Sequence, residues 1–314
     1  MLQGRFSNWL RPVLYFSGAL FLVGMVLSIQ GFTGNERNSA VPERMPSLTQ
    51  SFNLPDQLEF AGEPVPLINF DTRESLDKEM LVNGYWHSRT LMVLKRSKRY
   101  FETIEPVLKK YGVPDDFKYL AMAESGFENL VSPAKAAGVW QILESTAKEY
   151  GLEVNSVVDE RYDLAKSTEV ACKYLLESYN EFGSWTIAAA TYNAGRSGLE
   201  NQIAKQKTSS YYDLLLNEET ARYVFRLIAH KLITENPAAY GFHLEDKDYY
   251  PLIATHDMPV DTAIPDIADF AMENSTNYKI IKQLNPWLRQ NYLHDQTSKV
   301  YHITIPDEGE RVIQ

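Results

Sequence analysis

The chain has 314 residues, room for one catalytic domain and a small module, and its 44% hydrophobic and 23% charged content is that of a folded globular protein. Forty-one acidic residues face 31 basic ones for a formal charge of −10, which excludes a nucleic-acid binder built on a basic surface. The single cysteine, Cys172, excludes an intramolecular disulfide and sits too far along the chain for an N-terminal lipid anchor. Inside the apolar run Val170-Ala171-Cys172-Lys173-Tyr174-Leu175 it reads as a small buried hydrophobe rather than a nucleophile.

Residues 1–35 form an export or anchor segment. The stretch 12–32 carries no charge and follows Arg5 and Arg11. About 20 apolar residues span a bilayer, and the flanking arginines favour a cytoplasmic N-terminus. A cleaved signal peptide competes with a retained anchor. The length of the stretch and the poor cleavage site Ser28-Ile29-Gln30 favour the anchor, placing the rest of the chain in the cell envelope or periplasm. Residues 36–56, rich in Asn, Ser, Pro and Gln, read as a linker. Residues 57–95 form a helical lead-in in which Leu76, Met80, Tyr85, Leu91 and Leu94 pack against something larger. A strongly helical catalytic domain covers 96–239, a breaker-rich connector 240–259, and a small module 260–314.

Within the helical part, Pro114 followed by Asp115 and Asp116 predicts a helix start, and Gly126 a stop. Phe117, Leu120, Ala121 and Glu124 fall at i, i+3, i+4 and i+7 and so share one face. Glu124 therefore lies on an apolar stripe at the negative end of a helix. Both features favour the neutral carboxyl and suit a general acid. A structural glutamate with a local partner fits that pattern equally well. A second helix, over 167–182, places Ala171, Tyr174, Leu175, Ser178, Tyr179 and Phe182 on a core stripe and stops at Gly183. Trp140 and Trp185 read as core.

Four blocks follow in order: Glu124-Ser125, Gly138-Val139-Trp140-Gln141, Ala190-Thr191-Tyr192-Asn193-Ala194-Gly195, and Glu219-Thr220-Ala221-Arg222-Tyr223. Together they resemble the soluble lytic transglycosylase domain of glycoside hydrolase family 23. Val139 and Thr191 depart from that pattern, the first conservatively. The lead-in segments Leu58-Glu59-Phe60-Ala61-Gly62-Glu63 and Asn83-Gly84-Tyr85-Trp86 look like the membrane-bound lytic murein transglycosylase D subgroup. The resemblance implies a mainly α fold with a lysozyme-like catalytic domain. It also implies peptidoglycan strands as partner and cleavage between N-acetylmuramic acid and N-acetylglucosamine, leaving 1,6-anhydro ends. Glu124 would be the single acid and base. Ser132, Gln141, Tyr192, Asn193 and Tyr223 would bind substrate. Capping or turn duty is the competing reading for Ser132, Gln141 and Asn193. A hydrolytic goose-type-lysozyme-like muramidase and a non-catalytic peptidoglycan-binding protein are the alternative functions.

Glu128 and Glu144 read as solvated. No metal and no cofactor is implied, since His87, His230, His243, His256, His294 and His302 show no ligand spacing. In the last module two short helices precede the alternating strand Val300–Pro306, and Leu284-Asn285-Pro286 precedes that strand. This small α/β unit, β-α-α-β, resembles a LysM module that holds N-acetylglucosamine polymers. Its usual opening is degraded to Val260-Asp261-Thr262-Ala263, so a glycan-binding module and a structural lid both fit.

Overall fold

The computed structural model describes residues 51–294 and 299–311, which belong to one compact unit. The anchor reading of residues 12–32 lies outside the described residues. Among the described residues no helix is long and apolar enough to cross a membrane.

The protein is mainly helical. A two-stranded hairpin, β1 (Glu59–Phe60) and β2 (Glu63–Pro64), leads into α1 (Phe70–Tyr85) and the long α2 (His87–Tyr111). A 3-10 turn at Asp115–Phe117 opens the short α3 (Lys118–Ser125). Then follow α4 (Glu144–Glu149), α5 (Leu164–Phe182), α6 (Trp185–Ala194), α7 (Arg196–Gln206) and α8 (Glu218–Glu235). Helix α8 packs against α1, α3 and α6, while α5 packs against α2 and α6. Asp163 caps α5 through the Lys166 amide at 3.0 Å, and Gly183 ends it in the left-handed region at φ 68°.

The lead-in is integral to the core. Leu76, Met80 and Leu94 are buried in it, while Leu91 lies exposed, contrary to the sequence expectation. Phe52, inside the stretch read as linker, packs its ring against Tyr85 and Tyr240. Glu63 of β2 reaches the start of α6. Its carboxylate accepts from the amides of Trp185 at 2.5 Å and Thr186 at 3.0 Å, and from the hydroxyls of Ser184 and Thr186 at 3.0 and 2.8 Å. A carboxylate there satisfies orphan amides and meets the positive end of the helix. The hairpin thus fixes the helix that carries Tyr192 and Asn193.

The C-terminal module is a β-α-α-β unit: β3 (Thr255–Val260), α9 (Ile267–Glu273), α10 (Tyr278–Leu284) and β4 (Tyr301–Pro306). The two strands pair antiparallel from Thr255↔Pro306 to Val260↔Tyr301. The opening strand begins inside the stretch read as a connector, because its sequence, with Pro259 and polar neighbours, carries little alternation. Asn285 is fully buried and clamps the closing strand: its amide donates to the Thr304 carbonyl at 2.7 Å, and its oxygen accepts from the Thr304 amide at 2.8 Å. The module shares a small core with Ala137, Val157, Val158 and Tyr162. Asp159 and Arg289 amides exchange backbone bonds with Trp287 and Val157 carbonyls at 2.9 and 2.7 Å. Lys299 pairs with Glu153 at 2.6 Å and Glu160 at 2.9 Å.

Glu63→Ala strips four donors of their acceptor. It is expected to lower unfolding stability by about 2–3 kcal/mol, read by denaturant melts of the full chain; a loss near zero would remove the hairpin as the cap of α6.

Candidate active site

Helix α3 is buried around most of its circumference rather than on one stripe. Phe117, Leu120 and Ala121 are inaccessible as the periodicity predicts, yet Tyr119, Met122, Ala123 and Ser125 are buried as well. Helices this short gain their stability from packing rather than from propensity. Gly126 ends the helix at φ 61°, a left-handed conformation that an L side chain resists.

Glu124 is half-buried, as on this helix only the opening Lys118 also is. The Tyr223 hydroxyl, reaching over from α8, donates to its Oε1. Burial pushes the Glu124 carboxyl up from 4.5 to about 6. The Tyr223 hydrogen bond and the charge of Arg226 oppose that rise, and Glu219 adds to it. A carboxyl poised there is neutral in a large share of molecules near pH 6 and ionised in the rest, as acid and base duty by one group requires. Tyr223 is itself buried, and burial next to Glu124 raises its phenol well above the ordinary value, so it stays a donor.

The loop 130–142 is tied to the end of α3 and contains little regular structure, so its carbonyls need side-chain donors. Ser125 supplies one: its hydroxyl donates to the Val139 carbonyl at 2.8 Å and accepts from the Phe127 amide at 3.1 Å. The Tyr192 hydroxyl donates to the Trp140 carbonyl at 2.8 Å. Gln141, held at φ 49°, donates through Nε2 to the carbonyls of Gly138 at 2.8 Å and Leu130 at 3.1 Å. Arg161 is buried and paired with Asp159 at 2.8 Å, and donates to the carbonyls of Lys135 at 2.9 Å and Ile142 at 3.2 Å. Gly138 has φ 79°, and a Cβ there would stand 2.1 Å from the Arg161 carbonyl oxygen, so only glycine fits.

The predicted residues are thus dispersed over three settings. Gln141, Tyr192 and Asn193 line one cleft of about 380 Å3 together with Tyr174, Thr146 and Gly195. Asn193 Oδ1 accepts from the buried Thr220 hydroxyl at 2.8 Å, joining the third sequence block to the fourth. Tyr223 is on Glu124. Ser132 belongs to neither cleft nor acid: its hydroxyl accepts from the Ala136 amide at 3.0 Å and closes a turn. Trp140 is fully buried and donates to Thr168 at 2.8 Å, while Trp185 stacks on Tyr179. Cys172 is inaccessible and burial pushes its thiol up to about 12. Glu128 and Glu144 are exposed and paired with Arg96 and Lys148.

Sequence reasoning passed over Glu63, Glu79, Arg161 and Arg226, because each acts across the fold on residues tens of positions away. The signal for Glu79 was available as a charge at the 3.6-residue spacing of the buried Leu76, Met80 and Asn83 of α1.

Residues 102–215 match the family model of the transglycosylase SLT domain, and residues 256–309 that of the soluble lytic transglycosylase C-terminal LysM-like domain. The chain therefore carries a transglycosylase SLT domain followed by a LysM-like domain, on a mainly helical fold with a small sheet module. It is homologous to membrane-bound lytic murein transglycosylase D of Escherichia coli, from strain K12 and from the O6:H1 strain CFT073 alike. To each it is 31% identical over 205 residues, 63% of this chain, and the match spans 44% of the relative's length. Among solved structures, an inactive mutant of the lytic transglycosylase Slt from Pseudomonas aeruginosa aligns with 48% of this chain and 26% of its own, at 17% identity and a TM-score of 0.38.

Tyr223→Phe removes the donor that holds the Glu124 carboxyl down. Its midpoint, followed by NMR of the labelled side chain, is expected above the wild-type value of about 6; an unchanged or lower midpoint would contradict the assigned hydrogen bond.

Proposed function

We propose that this protein is a peptidoglycan lytic transglycosylase of the cell envelope. It cleaves the β-1,4 bond between N-acetylmuramic acid and N-acetylglucosamine, with Glu124 as acid and base. The observation that carries this reading is the Glu124 carboxyl, raised to about 6 and hydrogen-bonded by Tyr223. The SLT-domain match and the names of the relatives support it.

In this mechanism protonated Glu124 donates to the glycosidic oxygen as the C1–O bond breaks. The resulting carboxylate takes the proton of the C6 hydroxyl on the same muramic residue, whose oxygen closes onto C1. The proton lost in the first step is regained in the second, and the ring closure is intramolecular, at high effective concentration. No second carboxylate is needed. The nearest acid along α8, Glu219, is committed to Arg226 at 3.1 Å. Gln141 and Asn193 line the cleft, and their Oε1 and Nδ2 atoms, without a partner among the described residues, are available to acetamido and hydroxyl groups of the sugar. The LysM-like module supports a glycan-binding role on the same strand, and residues 12–32 would hold the enzyme at the membrane.

Digestion of peptidoglycan by the full chain is expected to leave 1,6-anhydromuramic termini by mass spectrometry, and reducing-end muramic acid as the main product would establish hydrolysis instead. Glu124→Gln is expected to cut turnover about 10³-fold, and activity retained in that variant would sink the assignment. Turnover in the wild type should fall as pH rises through about 6, because the acid form is lost.

The same carboxyl makes a stability prediction. Its folded value lies above the ordinary 4.5, so its stabilising contribution is complete below about 4.5 and is lost as pH rises through about 6. Glu124→Gln, neutral throughout, should match the wild type at pH 4 and exceed it at pH 8 by up to roughly 2 kcal/mol. Thermal melts at the two pH values check both the sign and the window.

A further inference from the structure

A second cleft, of about 240 Å3, is lined by groups whose charges act on the acid, Arg226 and Glu219. Ala123, the chain neighbour of Glu124, lines it, as do Glu219 and Arg226, which lie four residues before and three after Tyr223 on α8. Its walls carry three guanidiniums, Arg89, Arg222 and Arg226, against two carboxylates, Glu79 and Glu219. His230 adds no charge: burial, with the charges of Arg89 and Arg226, lowers it to about 3. A cationic cleft is a departure from the bulk of a chain with a net charge of −10.

The three arginines are prepared differently. Arg222 is anchored through Nε to Glu79 at 2.5 Å and leans on Glu218 at 3.5 Å. Arg226 bonds Glu219 at 3.1 Å and stands 3.9 Å from Glu79, whose Oε2 is buried without a hydrogen-bond partner. Arg89 has no carboxylate partner among the described residues. It lies over the ring of Trp86, 4.5 Å from the centroid, and Trp86 is half exposed at the rim of the cleft. A guanidinium stacked on an exposed indole keeps its planar fork of donors free and oriented, the arrangement that recognises a carboxylate.

We propose that this cleft is the subsite for the peptide stem of the substrate, with Arg89 on its Trp86 platform receiving a stem carboxylate. The inference rests on the proposed function. In that reaction the muramic residue at Glu124 bears its stem through O3, so the stem leaves the sugar within one ring of the acid. A stem carries free carboxylates, and a neutral glycan offers the arginines nothing comparable. The neutral cleft of Gln141 and Asn193 and the cationic cleft of Arg89 thereby divide the sugar and the peptide between them.

The test uses the full chain carrying Glu124→Gln, so that binding is measured without turnover, on glycan strands with intact stems and on chitin strands, which carry neither a stem nor the lactyl carboxylate that an amidase would leave on O3. Stem-bearing strands are expected to bind about tenfold tighter, the scale of one charge-assisted hydrogen bond. Arg89→Glu should erase that preference while leaving binding of chitin strands within twofold. Arg89→Lys, which keeps the charge but loses the fork, should retain part of it. Equal affinity for both strands, or a preference that survives Arg89→Glu, overturns the subsite. Arg89 is an exposed helical position, so its variants should fold. Failure of the transglycosylase reading shows elsewhere, as loss of the turnover difference between Glu124 and its Gln variant.

Discussion

One contact organises this molecule: the phenol of Tyr223 against the carboxyl of Glu124. A carboxylate half-buried at the end of a packed helix is costly to ionise, and without a donor it would stay neutral far above pH 6. With too many donors it would be an ordinary carboxylate. The single hydrogen bond from Tyr223, the charge of Arg226 and the opposing charge of Glu219 leave it between those limits. Holding the two residues together requires α3 and α8 to be fixed relative to each other. That requirement explains why α3 is buried on nearly every side and why α8 contacts α1, α3 and α6.

The loop 130–142 follows from a second constraint, the need to satisfy backbone carbonyls where no helix or sheet does so. Ser125, Gln141, Tyr192 and Arg161 each donate into it. Residues that look like a list of sugar ligands in the sequence are therefore partly a list of loop fasteners. The two roles are compatible: a wall that must meet a polymer in one register has to be rigid, and its fasteners are the groups nearest the cleft. Arg161 does this from outside the sequence blocks, and the bond network around it continues through Glu160 and Lys299 into the C-terminal module. The module is thus braced against the same loop region that shapes the cleft, and shares with it a small core of its own.

The lead-in plays a comparable part on the opposite flank. Glu63 caps α6 and Glu79 anchors Arg222, so residues well before the SLT-domain match set the position of α6 and the charge pattern along α8. Buried or half-buried carboxylates are tolerated at these places because each meets a helix N-terminus or a guanidinium.

By itself the sequence determined what is local or periodic. The stop at Gly126, the core stripe of α5 ending at Gly183, the mainly helical class and the two closing helices of the module all follow from spacings within one segment. Glu124 could be singled out because an acid on an apolar stripe is anomalous wherever it packs. The burial of the rest of α3, the exposure of Leu91 and the start of the module at Thr255 were decided by tertiary contacts, which periodicity does not encode. So were the carboxyl's midpoint and the partners of Gln141, Tyr192 and Asn193. Hydrogen bonds and electrostatic shifts depend on distances between side chains far apart in the chain, 99 positions for Glu124 and Tyr223. Only the folded chain supplies those distances.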